Sequence, residues 1–409
     1  MDKIMKLSLW ILTIGVMVVS ITGCTRKNNL TGNNWSNVSG KTVDDYIGIS
    51  NAFSFPADTL KAVSGSELKL LSGDYESTQT VAFLRYTGLP RQSVIDACDM
   101  DSCYVNLMLV KRSPVSRNPL KLRLYKINGV WNDTLSVMNN MEYIQGTEMT
   151  VPDSISVFGK ELKFGLPPDV VKAWETNADS TGWNFAVKVV DEGYVEIRSR
   201  ESSVGAELNL RYRKTGETSF VVFNTRPTKD NYSIVSTPEA ASAEWKLNNA
   251  RATRMFIKWE PRNALFTDND GNQLSAEEIK RLTVNKAVIV LHVKSNPYYS
   301  SGTAYNIFAY NLTRDSISIS SPPLAADHET LLYTPYSTGS ISGDSLEVDI
   351  TPLVQAYVSG DRQAKGISIQ SLHERQNYGE IKFYDFTSTT PTAKKPYVRI
   401  TYTPPYLKQ

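Results

Sequence analysis

Leu120-Lys-Leu-Arg-Leu-Tyr125 alternates apolar and polar residues without a break. Successive side chains of a strand point to opposite faces, so this stretch predicts a strand with one buried face. Just upstream, Tyr104-Val-Asn-Leu-Met-Leu-Val110 reads as a second strand, richer in apolar residues. Further outward, the same reading applies to Leu68-Lys-Leu-Leu71, Val81-Ala-Phe-Leu-Arg-Tyr86, Tyr194-Val-Glu-Ile197 and Glu207-Leu-Asn-Leu-Arg-Tyr212. Each is strand-length and bounded by Gly, Pro, Ser or Asn. Many short strands without alternating helices predict an all-β, antiparallel sandwich or barrel.

The order of these pieces recurs. Arg254-Met-Phe-Ile-Lys-Trp259 repeats the character of Ala82–Tyr86, Ala287–Val293 repeats Tyr104–Val110, and Tyr305–Tyr310 repeats Leu120–Tyr125. Val170-Val-Lys-Ala-Trp174 matches Leu353-Val-Gln-Ala-Tyr357, with apolar residues on one face of a short helix. A strand follows each, at Phe185–Val189 and Gly366–Ile369, and each half closes on a strand ending in tyrosine, at Tyr212 and Tyr402. The pattern predicts an internal duplication of one β module. The expected modules are residues 44–226 and 227–404, with the seam near Thr215 to Asp230. One further helix is predicted at Ile279-Lys-Arg-Leu282, because Ser275-Ala-Glu-Glu278 has capping-box spacing.

The chain has 409 residues, 41% hydrophobic and 21% charged, which suits a globular protein of two or three domains. The formal net charge of +2 gives no reason to expect a nucleic-acid partner. Lys3 and Lys6 introduce an apolar run, Leu7 to Val19, that ends at Thr22-Gly-Cys24. This is the layout of a secretory signal, residues 1–23, and is too short for a comfortable membrane-spanning helix. Its end resembles a bacterial lipobox. That resemblance implies that Cys24 is acylated, that the membrane is a partner through a lipid anchor, and that the chain resides in the cell envelope. Residues 24–43, polar and rich in Asn and Gly, are expected to be a flexible tether. The remaining cysteines, Cys98 and Cys103, lie close together in a compartment that favours oxidation, so a local disulfide is expected.

Motifs that would carry chemistry fall short of their requirements. Gly40-Lys-Thr42 lacks the upstream glycine of a phosphate loop, where Trp35 stands instead. Gly339-Ser-Ile-Ser-Gly343 has isoleucine where a nucleophile would sit. Asp268-Asn-Asp-Gly-Asn272 has Gln273 and Ile279 where a calcium loop needs glycine and glutamate. His292, His328 and His373 have no partner at metal-ligand spacing. No catalytic residue, metal site or cofactor is therefore expected. Asp followed by Ser or Thr and then an aliphatic or Thr, as at Asp58, Asp153 and Asp344, resembles an O-glycosylation signal of exported bacterial proteins.

Exposed aromatic planes bind sugar rings, and the loop aromatics Trp131, Trp183, Tyr298 and Tyr299 are the candidates for ligand binding. Tyr298 and Tyr299 are the stronger pair, because consecutive residues in an extended turn do not both face one core.

Asp349-Ile-Thr-Pro-Leu-Val-Gln-Ala-Tyr357 and Pro396-Tyr-Val-Arg-Ile-Thr-Tyr402, with Tyr125–Trp131 and Ile197–Glu201 in the first half, resemble the DNRLRE domain, a module related to carbohydrate-binding modules. The first half departs from the pattern, with Leu166-Pro-Pro168 where Asp-Val-Thr is usual. The resemblance implies two tandem, jelly-roll-like β-sandwiches. The function expected is a lipid-anchored, non-catalytic envelope protein that binds a polysaccharide. The alternatives are a structural lipoprotein with an envelope-protein partner and, further off, a glycoside-active enzyme.

Overall fold

The computed structural model describes residues 40–48, 51–56, 68–76, 78–113, 120–128, 141–173, 182–236, 239–299, 305–324, 327, 337–361 and 365–405. Cys24, Trp131, Trp174 and His328 lie outside these residues. The chain opens with β1 (Lys41–Tyr46), β2 (Ala52–Pro56), β3 (Lys69–Tyr75) and β4 (Thr78–Tyr86). A short helix, α1 (Gln92–Asp96), leads into the long β5 (Cys98–Ser113). Then come β6 (Lys121–Ile127), β7 (Met141–Tyr143), β8 (Met149–Thr150) and β9 (Lys160–Gly165). Helix α2 (Pro168–Ala173) precedes β10 (Trp183–Val189), β11 (Tyr194–Arg198), β12 (Glu207–Lys214), β13 (Val221–Thr225) and β14 (Lys229–Ile234).

The second half runs β15 (Lys246–Asn248), β16 (Thr253–Ile257), α3 (Ala276–Ile279), β17 (Thr283–Ser295) and β18 (Ile307–Asn311). It continues with β19 (Ser337–Ser342), β20 (Ser345–Asp349), α4 (Thr351–Val358), β21 (Ile367–Ser371), β22 (Glu380–Phe383) and β23 (Tyr397–Thr403).

The strands form two antiparallel sheets. The 12-stranded one runs β13-β12-β5-β11-β3-β4-β10-β6-β7, with β14 on β4, β8 on β6 and β9 on β5. The 11-stranded one runs β1-β23-β17-β20-β19-β18-β21-β16-β15-β22, with β2 on β16. Each curls around its own apolar core, so the all-β sandwich expected from the alternation is the fold observed. The pattern places the side chains as the sequence dictates. On β6, Leu122 and Leu124 are fully buried while Arg123 and Tyr125 face outward. On β23, Val398, Ile400 and Tyr402 are buried and Arg399 is exposed. Burying each such aliphatic side chain is worth about 1.5–3 kcal/mol. The capped helix also forms: the Ser275 side chain accepts from the Glu278 N–H, and Glu278 accepts from the Ser275 N–H at 2.8 Å.

Strand pairing cuts the chain differently from the expected 44–226 and 227–404 division. β1 starts at Lys41, inside the stretch expected to be tether, and pairs with the C-terminal β23. β2 pairs with β16, and β14, beyond residue 226, pairs with β4 of the first half. Alternation in Lys41-Thr-Val-Asp-Asp-Tyr46 is weak, and only Asp45 is buried there, so the strand left little trace in the sequence.

The expected Cys98–Cys103 disulfide is absent, and both thiols are free and buried. The reason is extension. Both cysteines belong to β5, opposite Lys214 and Leu210 of β12, not to a loop. Five residues of strand span roughly 16 Å, whereas a disulfide needs Cα atoms about 4.4–6.8 Å apart. A register shift opposite Arg211 and Tyr212 puts both side chains on the buried face despite their odd spacing. The acidic residues between them pair outward instead, Asp101 with Arg211 at 3.2 Å and Asp99 with Arg213 at 3.6 Å.

Candidate functional site

Tyr298 and Tyr299 leave the end of β17 through Asn296-Pro297, where the Asn296 side chain accepts the Tyr299 N–H at 3.3 Å. The two rings do point to opposite sides, as extended backbone requires. Both sides are covered, because the loop lies between the two sandwiches. Tyr298 packs on the first core and Tyr299 on the second. The Tyr298 hydroxyl donates to Glu196 of β11, whose side chain is fully buried and also accepts Lys69 Nζ at 2.8 Å. Lys111 Nζ sits 3.2 Å from the Tyr298 ring centroid, a cation–π contact. The Tyr194 ring lies nearly parallel to it, with centroids 6.3 Å apart. Burial, and then the neighbouring Glu196 charge, hold the Tyr298 hydroxyl far above the ordinary phenol range. Burial pulls the Lys111 ammonium down.

Tyr299 is held as firmly. Its hydroxyl accepts from Asn249 Nδ2 at 2.8 Å and donates to Asn377 Oδ1 at 3.3 Å. Its ring meets Tyr305 edge-on at 4.9 Å and lies against the Gly379 backbone, where an added Cβ would come within 2.5 Å of the hydroxyl. Tyr75, Tyr194 and Tyr378 complete the cluster, with Tyr194 and Tyr378 centroids 4.2 Å apart. These tyrosines cement the two sandwiches, and Tyr298 and Tyr299 are half-buried with both hydroxyls engaged. Trp183 is likewise a core residue, fully buried in β10 opposite Tyr86. Of the candidates within the described residues, Trp183 is closed off in the core and Tyr298 and Tyr299 are built into the joint between the sandwiches.

An exposed tyrosine with two half-buried rings beside it sits elsewhere. Tyr46, at the end of β1, is 49% exposed and lies 5.7 Å from Phe386 and 6.1 Å from Tyr397. Lys395 Nζ is 4.5 Å from the Phe386 centroid, and the Arg399 guanidinium is 5.0 Å from that of Tyr397. Asp44 grips Arg399 with two hydrogen bonds of 2.8 Å, fixing that guanidinium beside the rings. Aromatic faces next to oriented charged donors and acceptors are the chemistry that a sugar ring requires. This group brings β1 together with β23 and the loop that leads into it, two distant parts of the sequence, so no local motif announces it.

A second exposed surface follows β13. One side of this strand pairs with β12, and among the described residues no strand pairs with the other. Val222 is 63% exposed, Phe220 and Val221 are also exposed, and the Arg211 guanidinium covers the Phe220 ring at 4.2 Å. An exposed apolar edge strand is a ready surface for another chain.

No group of three metal-ligating side chains occurs among the described residues. His292 and His373 are both held below the usual imidazole range by burial. No family model matches the chain, and no curated protein matches it. The crystal structure of the infectious bursal disease virus VP2 subviral particle is similar at 11% identity over 90% of this chain and 76% of that one. Its TM-score of 0.08 is too low to show a shared fold.

Proposed function

We propose that this chain is a non-catalytic attachment protein of the cell envelope, lipid-anchored at Cys24, that holds a glycan on the surface formed by Tyr46, Phe386 and Tyr397. The observation that supports it is the grouping of the exposed Tyr46 ring and the half-buried Phe386 and Tyr397 rings with the Asp44–Arg399 ion pair and Lys395. Stacking is worth about 1 kcal/mol per ring, so a single platform gives weak binding that repeated copies on a membrane would raise by avidity. A tyrosine-cemented pair of sandwiches suits such a role, because it presents the surface on a stiff body at the end of a tether. The resemblance to the DNRLRE domain and its carbohydrate-binding relatives points the same way. A glycan array probed with the full chain and with a Tyr46→Ala, Phe386→Ala variant tests this reading. Loss of the wild-type signals in the variant supports it, and an array blank for both refutes it.

A second reading, a structural lipoprotein with an envelope-protein partner, is favoured by the exposed Phe220, Val221 and Val222 on the open edge of β13. A Val222→Lys substitution would then release a co-purifying partner while leaving glycan binding unchanged.

A further inference from the structure

The pairing pattern repeats between the two halves, residue by residue. β4 pairs with β3 and β10, and β16 pairs with β15 and β21. β5 pairs with β9, β11 and β12, and β17 pairs with β20, β22 and β23. The registers agree as well. Ala186 stands between Phe83 and Tyr125, and Ser368 stands between Phe256 and Tyr310. A short helix follows β9 and another follows β20. β3–β12 and β15–β23 are therefore two copies of one body.

Four strands remain. β13 lines β12 with Val221 opposite Tyr212, and β1 lines β23 with Lys41 opposite Tyr402. β14 lines β4 with Ile234 opposite Thr80, and β2 lines β16 with Pro56 opposite Thr253. The pairs β1–β2 and β13–β14 thus occupy equivalent places. In the chain, however, β1–β2 precedes the first body and lies on the second, while β13–β14 precedes the second body and lies on the first.

We propose that the two repeats, residues 41–214 and 221–403, have reciprocally exchanged their N-terminal strand pairs. Each body is then a binding site for a strand pair, and its occupant comes from the other repeat. Polar contacts fit each pair to its host. The Trp259 indole N–H donates to Asp45 at 2.9 Å, and Arg262 donates to the same carboxylate. Ser54 Oγ donates to the Lys246 carbonyl at 2.9 Å and accepts the Lys246 N–H at 2.7 Å. On the other side, Asp230 accepts the Arg200 N–H at 2.6 Å, and the Arg85 carbonyl accepts the Thr228 N–H at 2.7 Å. The exchange makes the bodies interdependent: neither has its full set of strands unless the other repeat supplies them.

Exchanged and unexchanged chains differ in what faces Asp44. It faces Arg399 here, and would face Asn209, the present partner of Asn224, if β1 lay on its own body. The test is mild oxidation of two full-length double variants in a Cys24→Ser background: Asp44→Cys with Arg399→Cys, and Asp44→Cys with Asn209→Cys. The expected result is an intramolecular cross-link in the first and none in the second. A cross-link in the second, or one in the first that forms only between two chains, overturns the proposal.

Discussion

The Tyr298 hydroxyl reaches across from one sandwich to donate a hydrogen bond to the buried carboxylate of Glu196 in the other. Glu196 is also held by Lys69, while Lys111 lies on the Tyr298 ring. A buried carboxylate needs every partner it has, because an unpaired one carries a large desolvation cost.

Removing that hydroxyl should therefore loosen the joint between the sandwiches. Tyr298→Phe is expected to destabilise the chain by about 1–3 kcal/mol in urea unfolding. Glu196→Ala should cost about 3 kcal/mol or more, because it leaves Lys69 and the phenol unsatisfied. The double variant should lose less than the sum of the two, which a double-mutant cycle measures. Strict additivity would show that the two groups do not interact.

Gly379 should tolerate no side chain. An added Cβ would approach the Tyr299 hydroxyl within 2.5 Å and its ring carbons within 2.8 Å. Gly379→Ala must displace Tyr299 from Asn249 and Asn377, and a loss of about 1–3 kcal/mol is expected. Thermal unfolding of the variant checks this, and an unchanged midpoint would contradict the packing.

Cys98 and Cys103 should behave as buried hydrophobic residues. Burial pushes the Cys103 thiol up to about 12, so almost no thiolate is present at neutral pH. Neither cysteine should react with a maleimide in the native protein, and both should react in denaturant. Mass spectrometry after oxidative refolding should find them reduced.

Stability should fall as pH rises through neutrality, and Asp230 is the cause. Its burial in β14 raises the carboxyl pKa to about 7, the Arg200 N–H offsetting only part of the effect. An unfolded Asp titrates near 3.9. Between about pH 4 and pH 7 the native state holds a proton that the unfolded chain has lost, so this stabilising contribution is complete below pH 4 and gone above pH 7. The loss is on the order of 4 kcal/mol. Asp230→Asn should flatten the profile and raise stability at pH 8. An equal slope in wild type and variant would rule Asp230 out.

The regular strands were legible because burial acts locally, along one strand. The alternation at Leu120–Tyr125 and Val398–Tyr402 marks which face is inside. A helical spacing of apolar residues likewise revealed the two short helices at Pro168–Ala173 and Thr351–Val358. What the sequence hid was long-range. Asp45 lies 214 positions from Trp259, and nothing near either residue announces the pairing. The packing of Tyr298 and Tyr299 was hidden for the same reason: an extended turn has two faces, and the sequence does not show that a second sandwich meets one of them. The cysteines were misjudged because spacing alone does not separate a loop from a strand with a bulge.

The most direct test of the glycan-attachment account is affinity electrophoresis of the full chain through gels containing soluble bacterial and plant polysaccharides. The account predicts that at least one polysaccharide retards the wild type, that Tyr46→Ala with Phe386→Ala abolishes the retardation, and that Tyr298→Phe leaves it intact. Retardation lost in Tyr298→Phe but retained in the double variant, or no retardation of the wild type in any gel, would contradict it.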